Sequence, residues 1–330
     1  MSSWATTKHF SATNRKETTN AFDPSGTRNS GSQNVCGNGR KALVNSRYII
    51  VTPVKNEERF LEGVISSVLR QTIRPAKWVV VNDHSTDRTG EILRQATTAH
   101  EWIVEAGSGN RHGQRDPGGE GVVHYGIRQA NLEEFDFLAR LDADITFEAD
   151  YFERLFREFH RNPRLGIAGG VCFVPWKGRL VEEKHPRFHT RGGLKTYRVR
   201  CFQEIGGLEK ELGWDTVDEI RAHMLGWETR SFPELKAIHH RPTQTASGAL
   251  KGKRNMGIAA YFVGYHPLFL LARACRNMAR PPYILGGLSM LYGYLGGCAK
   301  SLPRIRDREL IRYVREQQWN RLTGKISIWE

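Results

Sequence analysis

The chain has 330 residues, 39% of them apolar and 10% aromatic, enough for one large α/β domain or two smaller ones. Its net charge of +14 is uneven, with +4 on residues 1–46, −1 on 47–240 and +11 on 241–330, so any phosphate-rich partner (nucleic acid, anionic membrane or phosphorylated substrate) belongs to the C-terminal part, if that part is more than a solvated basic face. Five widely spaced cysteines (Cys36, Cys172, Cys201, Cys275, Cys298) without a CxxC pair exclude a zinc ribbon or a disulfide framework and fit a reducing, cytosolic setting.

Residues 1–46 are rich in Ser, Thr, Asn and Gly, lack the apolar core of a signal peptide and read as a disordered tail. Order begins with the strand "RYIIVTP" (47–53). Phe60, Leu61, Val64, Ile65, Val68 and Leu69 then recur at helical spacing. "KWVVVND" (77–83) is a strand without alternation, as expected when both faces are covered. "STDRTGEILRQA" opens a helix that Thr86 or Asp87 can cap. A weaker strand at 101–106, a Gly-rich loop at 107–121 and a helix around 121–134 follow. The strand "FLARLD", an amphipathic helix at 149–162 and a strand at 165–175 complete the pattern. This alternation predicts a mainly parallel sheet with helices on both faces, and ligands then bind at the carboxyl ends of the strands.

Thr52, Asp83, Asp142 and Asp144 all fall at such ends. In extended chain, Asp142 and Asp144 point the same way and Ala143 points away. Ending an apolar strand on two carboxylates is costly unless they are used. Two hard oxygen ligands suit Mg²⁺ or Mn²⁺, with water and substrate phosphates in the other positions; a pair of turn aspartates is the plainer alternative.

The run "VTPVKNEERFLEGVISSVLRQT…WVVVNDHSTDRTGEIL…FLARLDADITF" resembles the family 2 glycosyltransferases, inverting enzymes of the GT-A fold. It carries their "PxxNE", "NDxSTD" and "DxD" motifs in order. "CFQEIGGLEKELGWDTVDEIRAHMLGW" resembles their acceptor-side segment, and the similarity spans about residues 47–245. The resemblance implies that Thr52, Pro53 and Glu57 border the base and ribose of a nucleotide sugar and that Asp83 reads the base edge. It places Asp142 near the ribose or metal and Asp144 on the metal. His84 stands where the family commonly has glycine. An inverting transfer needs a base opposite the leaving group. Asp218 is the first choice, Asp215 the second, and Glu219 lies beside them; either aspartate could instead cap the helix. By resemblance, His240 or His239 could add a metal ligand and Arg241 could contact phosphate. Gln318, Arg321 and Leu322 follow the spacing of the "QxxRW" motif with leucine in place of tryptophan, which places a basic helix near the donor diphosphate.

The expected layout is a tail (1–46), a glycosyltransferase domain (47–240) and a basic, apolar helical region (241–330). Within the last, Tyr283–Ala299 is an apolar run of about 17 residues, at the short limit for spanning a bilayer. Flanking arginines suit peripheral attachment to the inner face of the cytoplasmic membrane, with a glycan or lipid-linked glycan as acceptor in cell-surface or exopolysaccharide synthesis. No nucleic-acid partner is expected. A sugar-1-phosphate nucleotidylyltransferase is disfavoured because "TPVKNEE" lacks its Gly-rich loop. A non-catalytic membrane- or nucleic-acid-binding protein on the same fold would have lost the acidic motifs, which are present.

Overall fold

The computed structural model describes residues 46–107, 120–209, 213–241 and 248–329. The N-terminal tail before Ser46 and residues 108–119 of the Gly-rich loop lie outside them. Nine strands are described: β1 (Tyr48–Val54), β2 (Lys77–Asn82), β3 (Ile103–Gly107), β4 (Phe137–Leu141), β5 (Ile145–Phe147), β6 (Leu165–Trp176), β7 (Arg179–Glu182), β8 (Leu194–Arg198) and β9 (Glu228–His239). They form one sheet in the order β3-β2-β1-β4-β8-β6-β9-β5, with β7 on β6. The first four are mutually parallel. β8 then runs antiparallel to both β4 and β6, and β9 is parallel to β6. The sheet is therefore mixed: β8, together with the antiparallel β5–β9 and β6–β7 pairs, departs from the simple alternation read in the sequence.

Both faces of the parallel part are buried, which is why its strands read as unbroken apolar runs. Tyr48, Ile50, Trp78, Val80, Phe137 and Ala139 point to one face. There they meet α1 (Leu61–Leu69), α2 (Thr89–Ala99) and the aromatic side of α4 (Tyr151–Arg161), where Phe152, Phe156 and Phe159 pack. Ile49, Val51, Val79, Val81 and Leu138 point to the other face, covered by α3 (Glu120–Ile127), α5 (Val199–Glu204) and α6 (Trp214–Met224). Each such fully buried side chain contributes about 1.5–3 kcal/mol.

Past β9 the chain is helical: α7 (Ala249–Val263), α8 (Pro267–Met278), α9 (Ile284–Ala299) and α10 (Arg308–Leu322). These helices share a core with α6, through Val217 and Ile220 against Ala260, Val263, Leu270, Met290, Leu310 and Val314. The glycines of α9 have a packing role. A Cβ on Gly293 would lie 2.1 Å from the Arg254 carbonyl oxygen, and one on Gly257 of α7 would lie 1.9 Å from that of Met290. The Gly-rich run that has a spanning composition is thus one half of a close helix pair. Among the described residues no helix is long and apolar enough to cross a membrane. The opposite side of α9 leaves Ile284, Leu285, Leu288, Tyr292 and Leu295 exposed along one stripe.

Candidate active site

The turns after β1 and β2 are tied together, which explains the residue types of both motifs. Asn56 donates its backbone N–H to Ser85 Oγ (3.0 Å), and Asn56 Oδ1 accepts from the Thr86 N–H (2.8 Å). The Glu57 N–H reaches Thr89 Oγ1 (2.8 Å), and the Glu58 N–H reaches Asp87 Oδ2 (3.2 Å). Asp87 Oδ1 also accepts from the Thr89 N–H at the start of α2 (3.0 Å). His84 takes φ of +53°, the left-handed region that glycine enters freely, so the turn keeps a glycine-like backbone despite the larger residue. Asp83 is buried and paired with Lys55 Nζ (3.1 Å). Pro53 is half-buried. Thr52 is fully buried, and its side-chain oxygen accepts from Trp78 Nε1 (2.9 Å).

Asp142, Ala143 and Asp144 join β4 to β5, and Ala143 is buried in the core as the alternation requires. β5 pairs antiparallel with β9, Ile145 opposite His239, which brings residues 239–241 over the carboxylates. His239 Nε2 lies 3.5 Å from Asp144 Oδ1, and its Nδ1 lies 3.0 Å from Glu183 Oε2. Desolvation opposes protonation of His239, but the two carboxylates raise its pKa to about 9. His240 Nε2 meets Thr146 Oγ1 (2.8 Å) and its ring stacks on Phe60, while His239 lies against Asp144 and Glu183. Arg241 bridges Asp144 (Nε to Oδ2, 3.0 Å) and Glu57 Oε1. Asp144 is held below the usual carboxylate range because His239 and Arg241 outweigh its desolvation. Asp142 and Glu57 are pushed up, chiefly by desolvation. Glu57 Oε2 is buried without a hydrogen-bond partner.

The start of α6 is joined to this rim by a glycine pair. The Asp142 N–H donates to the Gly193 carbonyl (2.8 Å). A Cβ on Gly193 would fall 2.2 Å from Asp142 Oδ2; one on Gly192 would fall 2.8 Å from the Trp214 ring and 3.5 Å from Asp215 Cβ. Two residues without side chains therefore separate the DxD motif from Asp215. Arg140, buried beneath, has its guanidinium 4.3 Å from the Trp214 ring centre and 3.7 Å from Asp142 Oδ1.

Asp215 stands in the first turn of α6 with 36% of its side chain exposed, 3.9 Å from His189 Nε2. Asp218 and Glu219 point inward. Fully buried Lys195 donates to Asp218 Oδ2 (3.0 Å) and to the Asp215 carbonyl (2.8 Å), and it pairs with Glu219 Oε1 (3.0 Å). Tyr197 donates to Asp218 (2.5 Å), and His189 Nδ1 lies 2.8 Å from Glu219. Asp218, the first choice for the base from the sequence, is buried, and its oxygens accept from Lys195, Tyr197 and the Glu219 N–H. Lys195, His189, Glu183 and Arg140 were missed in the sequence; the doublet "RGG" just before β8 was the available signal.

Beyond Asp215 opens a cavity of about 700 Å³, with His189 and Thr216 on its wall. Arg321 lines it too. Gln318 is fully buried and its Oε1 accepts from the His266 N–H (2.7 Å). The helix expected beside the donor diphosphate packs on α6 and α8, and Arg321 stands on the wall of this cavity.

Residues 49–209, which hold the motif turns, the acidic pair and the glycine doublet, match the family model "Glycosyl transferase family 2". This stretch, just under half of the chain, is similar to that family. The chain is 24% identical over 185 residues to a glucosyl-dolichyl phosphate glucuronosyltransferase of Haloferax volcanii, covering 50% of this chain and 56% of the relative. It is 29% identical over 115 residues to a poly-beta-1,6-N-acetyl-D-glucosamine synthase of Staphylococcus epidermidis, covering 35% and 26%. The chain thus spans about half or less of these relatives. Its fold is that of the mannosyltransferase PcManGT of Pyrobaculum calidifontis, solved with GDP-Man and Mn²⁺ (TM-score 0.51, 17% identity, 82% and 80% of the two chains), and is a GT-A fold.

Among the described residues, no group of three His, Cys, Asp or Glu is placed to hold a metal. Two hard carboxylates, one of them partly exposed, do fit a cation whose other positions are filled by phosphate oxygens and water.

Proposed function

We propose that this glycosyltransferase moves a sugar, with inversion at the anomeric carbon, from a nucleotide sugar to a hydroxyl of a glycan or lipid-linked glycan in cell-surface polysaccharide synthesis. The observation that carries this reading is the separation of Asp142 from Asp215 by Gly192 and Gly193 alone. An acceptor hydroxyl beside Asp215 attacks the anomeric carbon and gives its proton to the carboxylate. The bond from that carbon to the donor diphosphate breaks, and the electron pair leaves with the nucleoside diphosphate. Asp215, not Asp218, is the base. Lys195 on its carbonyl and His189 near its carboxylate fix its position. Pro53, Glu57 and Asp83 border the nucleotide, and Arg241 borders the phosphates. Asp144 and Asp142 would hold Mg²⁺ or Mn²⁺. Bound there, the cation would neutralise charge gathering on the departing diphosphate. The Mn²⁺ and GDP-Man of the Pyrobaculum enzyme support this side of the reading, and the two curated relatives support a glycan or lipid-linked acceptor.

Thermal unfolding with nucleoside diphosphates tests it. At about a hundredfold over Kd, one of them stabilises the protein by about 2.7 kcal/mol when Mn²⁺ or Mg²⁺ is present. Asp144→Asn loses most of the metal-dependent part. Absence of any metal-dependent stabilisation overturns the donor assignment.

The exposed stripe of α9 beside Lys300, Arg304, Arg306 and Arg308 supports peripheral attachment to the anionic inner face of the cytoplasmic membrane. Flotation with liposomes is expected to rise with anionic lipid and to fall with salt. Failure to float at any composition removes the membrane from the reading.

A further inference from the structure

The cavity next to Asp215 has an unusual charge balance. Its wall carries six cations, Lys184, Lys253, Arg273, Arg276, Arg280 and Arg321, and no carboxylate. They arrive from separate parts of the chain: the segment before β8, α7, α8 and the turn after it, and α10. None of the six pairs with an acid among the described residues. Partly buried arginines elsewhere do pair: Arg191 with Glu183, Arg221 with Glu209, Arg241 with Glu57 and Asp144. Lys253 Nζ has only a neutral partner, Asn277 Oδ1 (2.6 Å). Desolvation, and then the charges of Arg273 and Arg280, lower its pKa. Arg273 reaches the Tyr265 hydroxyl (3.3 Å). Gathering like charges at a concave surface without counter-charge is unfavourable, and an anion seated there relieves it. His185 adds a buried Nε2 without a hydrogen-bond partner on the same wall.

Aromatic rings line the cavity as well. The Trp329 ring packs edge-on to Phe188 (5.7 Å between centres) and lies near Phe269 (5.9 Å). About 700 Å³ is far more than a lone phosphate fills and lies in the range of pockets that enclose a ligand of several rings. A sugar against the rings with its phosphate among the cations uses both sets of groups. α8 contributes Arg273 and Arg276 to the cavity and turns Leu268 and Leu271 outward, so anion site and exposed apolar face share one helix.

We infer that the acceptor is a phosphate-bearing molecule. The cavity holds the mono- or diphosphate that joins the acceptor sugar to its carrier, while the hydroxyl to be glycosylated lies at Asp215. This rests on the proposed transfer reaction and names its acceptor class. The bound phosphate is held, not consumed: the new bond is between the hydroxyl oxygen and the anomeric carbon, the proton goes to Asp215, and the leaving group is the donor's nucleoside diphosphate. The apolar face on the same helix points to a lipid carrier, and a soluble sugar phosphate shares the recognition chemistry.

The test measures binding of decyl phosphate, decyl glucoside, a soluble hexose phosphate and inorganic pyrophosphate to the full chain, and to the Arg273→Gln/Arg276→Gln variant. Decyl phosphate is expected to bind at least about tenfold more tightly than decyl glucoside, and the variant to lose about tenfold or more of that preference, since each hydrogen bond to a charged group carries roughly that weight. Added salt weakens the binding. Hexose phosphate binding as tightly as decyl phosphate keeps the phosphate site and assigns it a soluble carrier. Equal binding of decyl phosphate and decyl glucoside, or an unchanged preference in a variant whose unfolding midpoint matches the parent, overturns the inference. Metal-dependent binding of nucleoside diphosphate, measured in both proteins, is expected to be equal. Its absence from both proteins marks failure of the donor reading, separately from the phosphate result.

Discussion

Asp215→Asn lowers kcat by about 10² to 10⁴, the usual weight of a positioned general base. The amide keeps the size and the partial exposure of the side chain, so folding and donor affinity stay close to those of the parent. Asp218→Asn behaves differently. Its carboxylate faces Lys195 and Tyr197 in the interior, and its loss appears first as a lower unfolding midpoint. Steady-state kinetics beside thermal unfolding separate the two variants. An Asp215→Asn enzyme with parental kcat, next to a well-folded Asp218→Asn enzyme without activity, would return the base to Asp218.

Lys195→Met destabilises the protein by about 3–5 kcal/mol, the cost of leaving buried carboxylates without their partner. Two acids, Asp218 and Glu219, share this lysine at 3.0 Å each. Desolvation opposes the ammonium, but the acids outweigh it and raise its pKa. Adding Asp218→Asn to Lys195→Met recovers part of the loss, because one uncompensated charge disappears while Tyr197 keeps an acceptor. Urea unfolding of the single and double variants measures this, and a double variant less stable than Lys195→Met contradicts the charge argument. His189 gives the network a pH dependence. Desolvation lowers its pKa, but Glu219 and Asp215 raise it above the ordinary histidine value overall. Its contribution to stability is therefore complete below that ordinary value and is lost as pH rises through the folded pKa. Glu219 has the opposite sign. Held low by His189 and Lys195 against desolvation, it contributes above the ordinary carboxylate value and loses that contribution as pH falls.

The parallel half of the sheet was legible because β1, β2 and β4 are buried on both faces and carry unbroken apolar runs. The acidic pair was legible for a related reason: carboxylates at the end of such a run conflict with burial unless something uses them. β8 was not legible. Its sequence, "LKTYR", has a lysine at its second position, and nothing local says that the charge is matched by acids more than twenty residues later. The same distance hid the choice between Asp215 and Asp218. Both suit the start of a helix, and only Lys195 decides which of them is turned inward. His239 and His240 are adjacent, and the pairing of β9 with β5 selects the one that faces Asp144. The glycines of α9 looked like membrane composition because their partner, α7, lies outside the window in which composition is read.

The glycine doublet at 192–193 acts as a spacer of fixed thickness. One backbone hydrogen bond sets its position against Asp142, and the Trp214 ring closes the other side. Even one added methyl group would have to displace the Asp142 carboxylate or the Trp214 ring. In the proposed inverting transfer, attack and departure lie on one line, so such a widening would spoil alignment while each half kept its own ligand. The proposed reaction therefore tolerates change on the walls of the two halves more readily than at these two glycines.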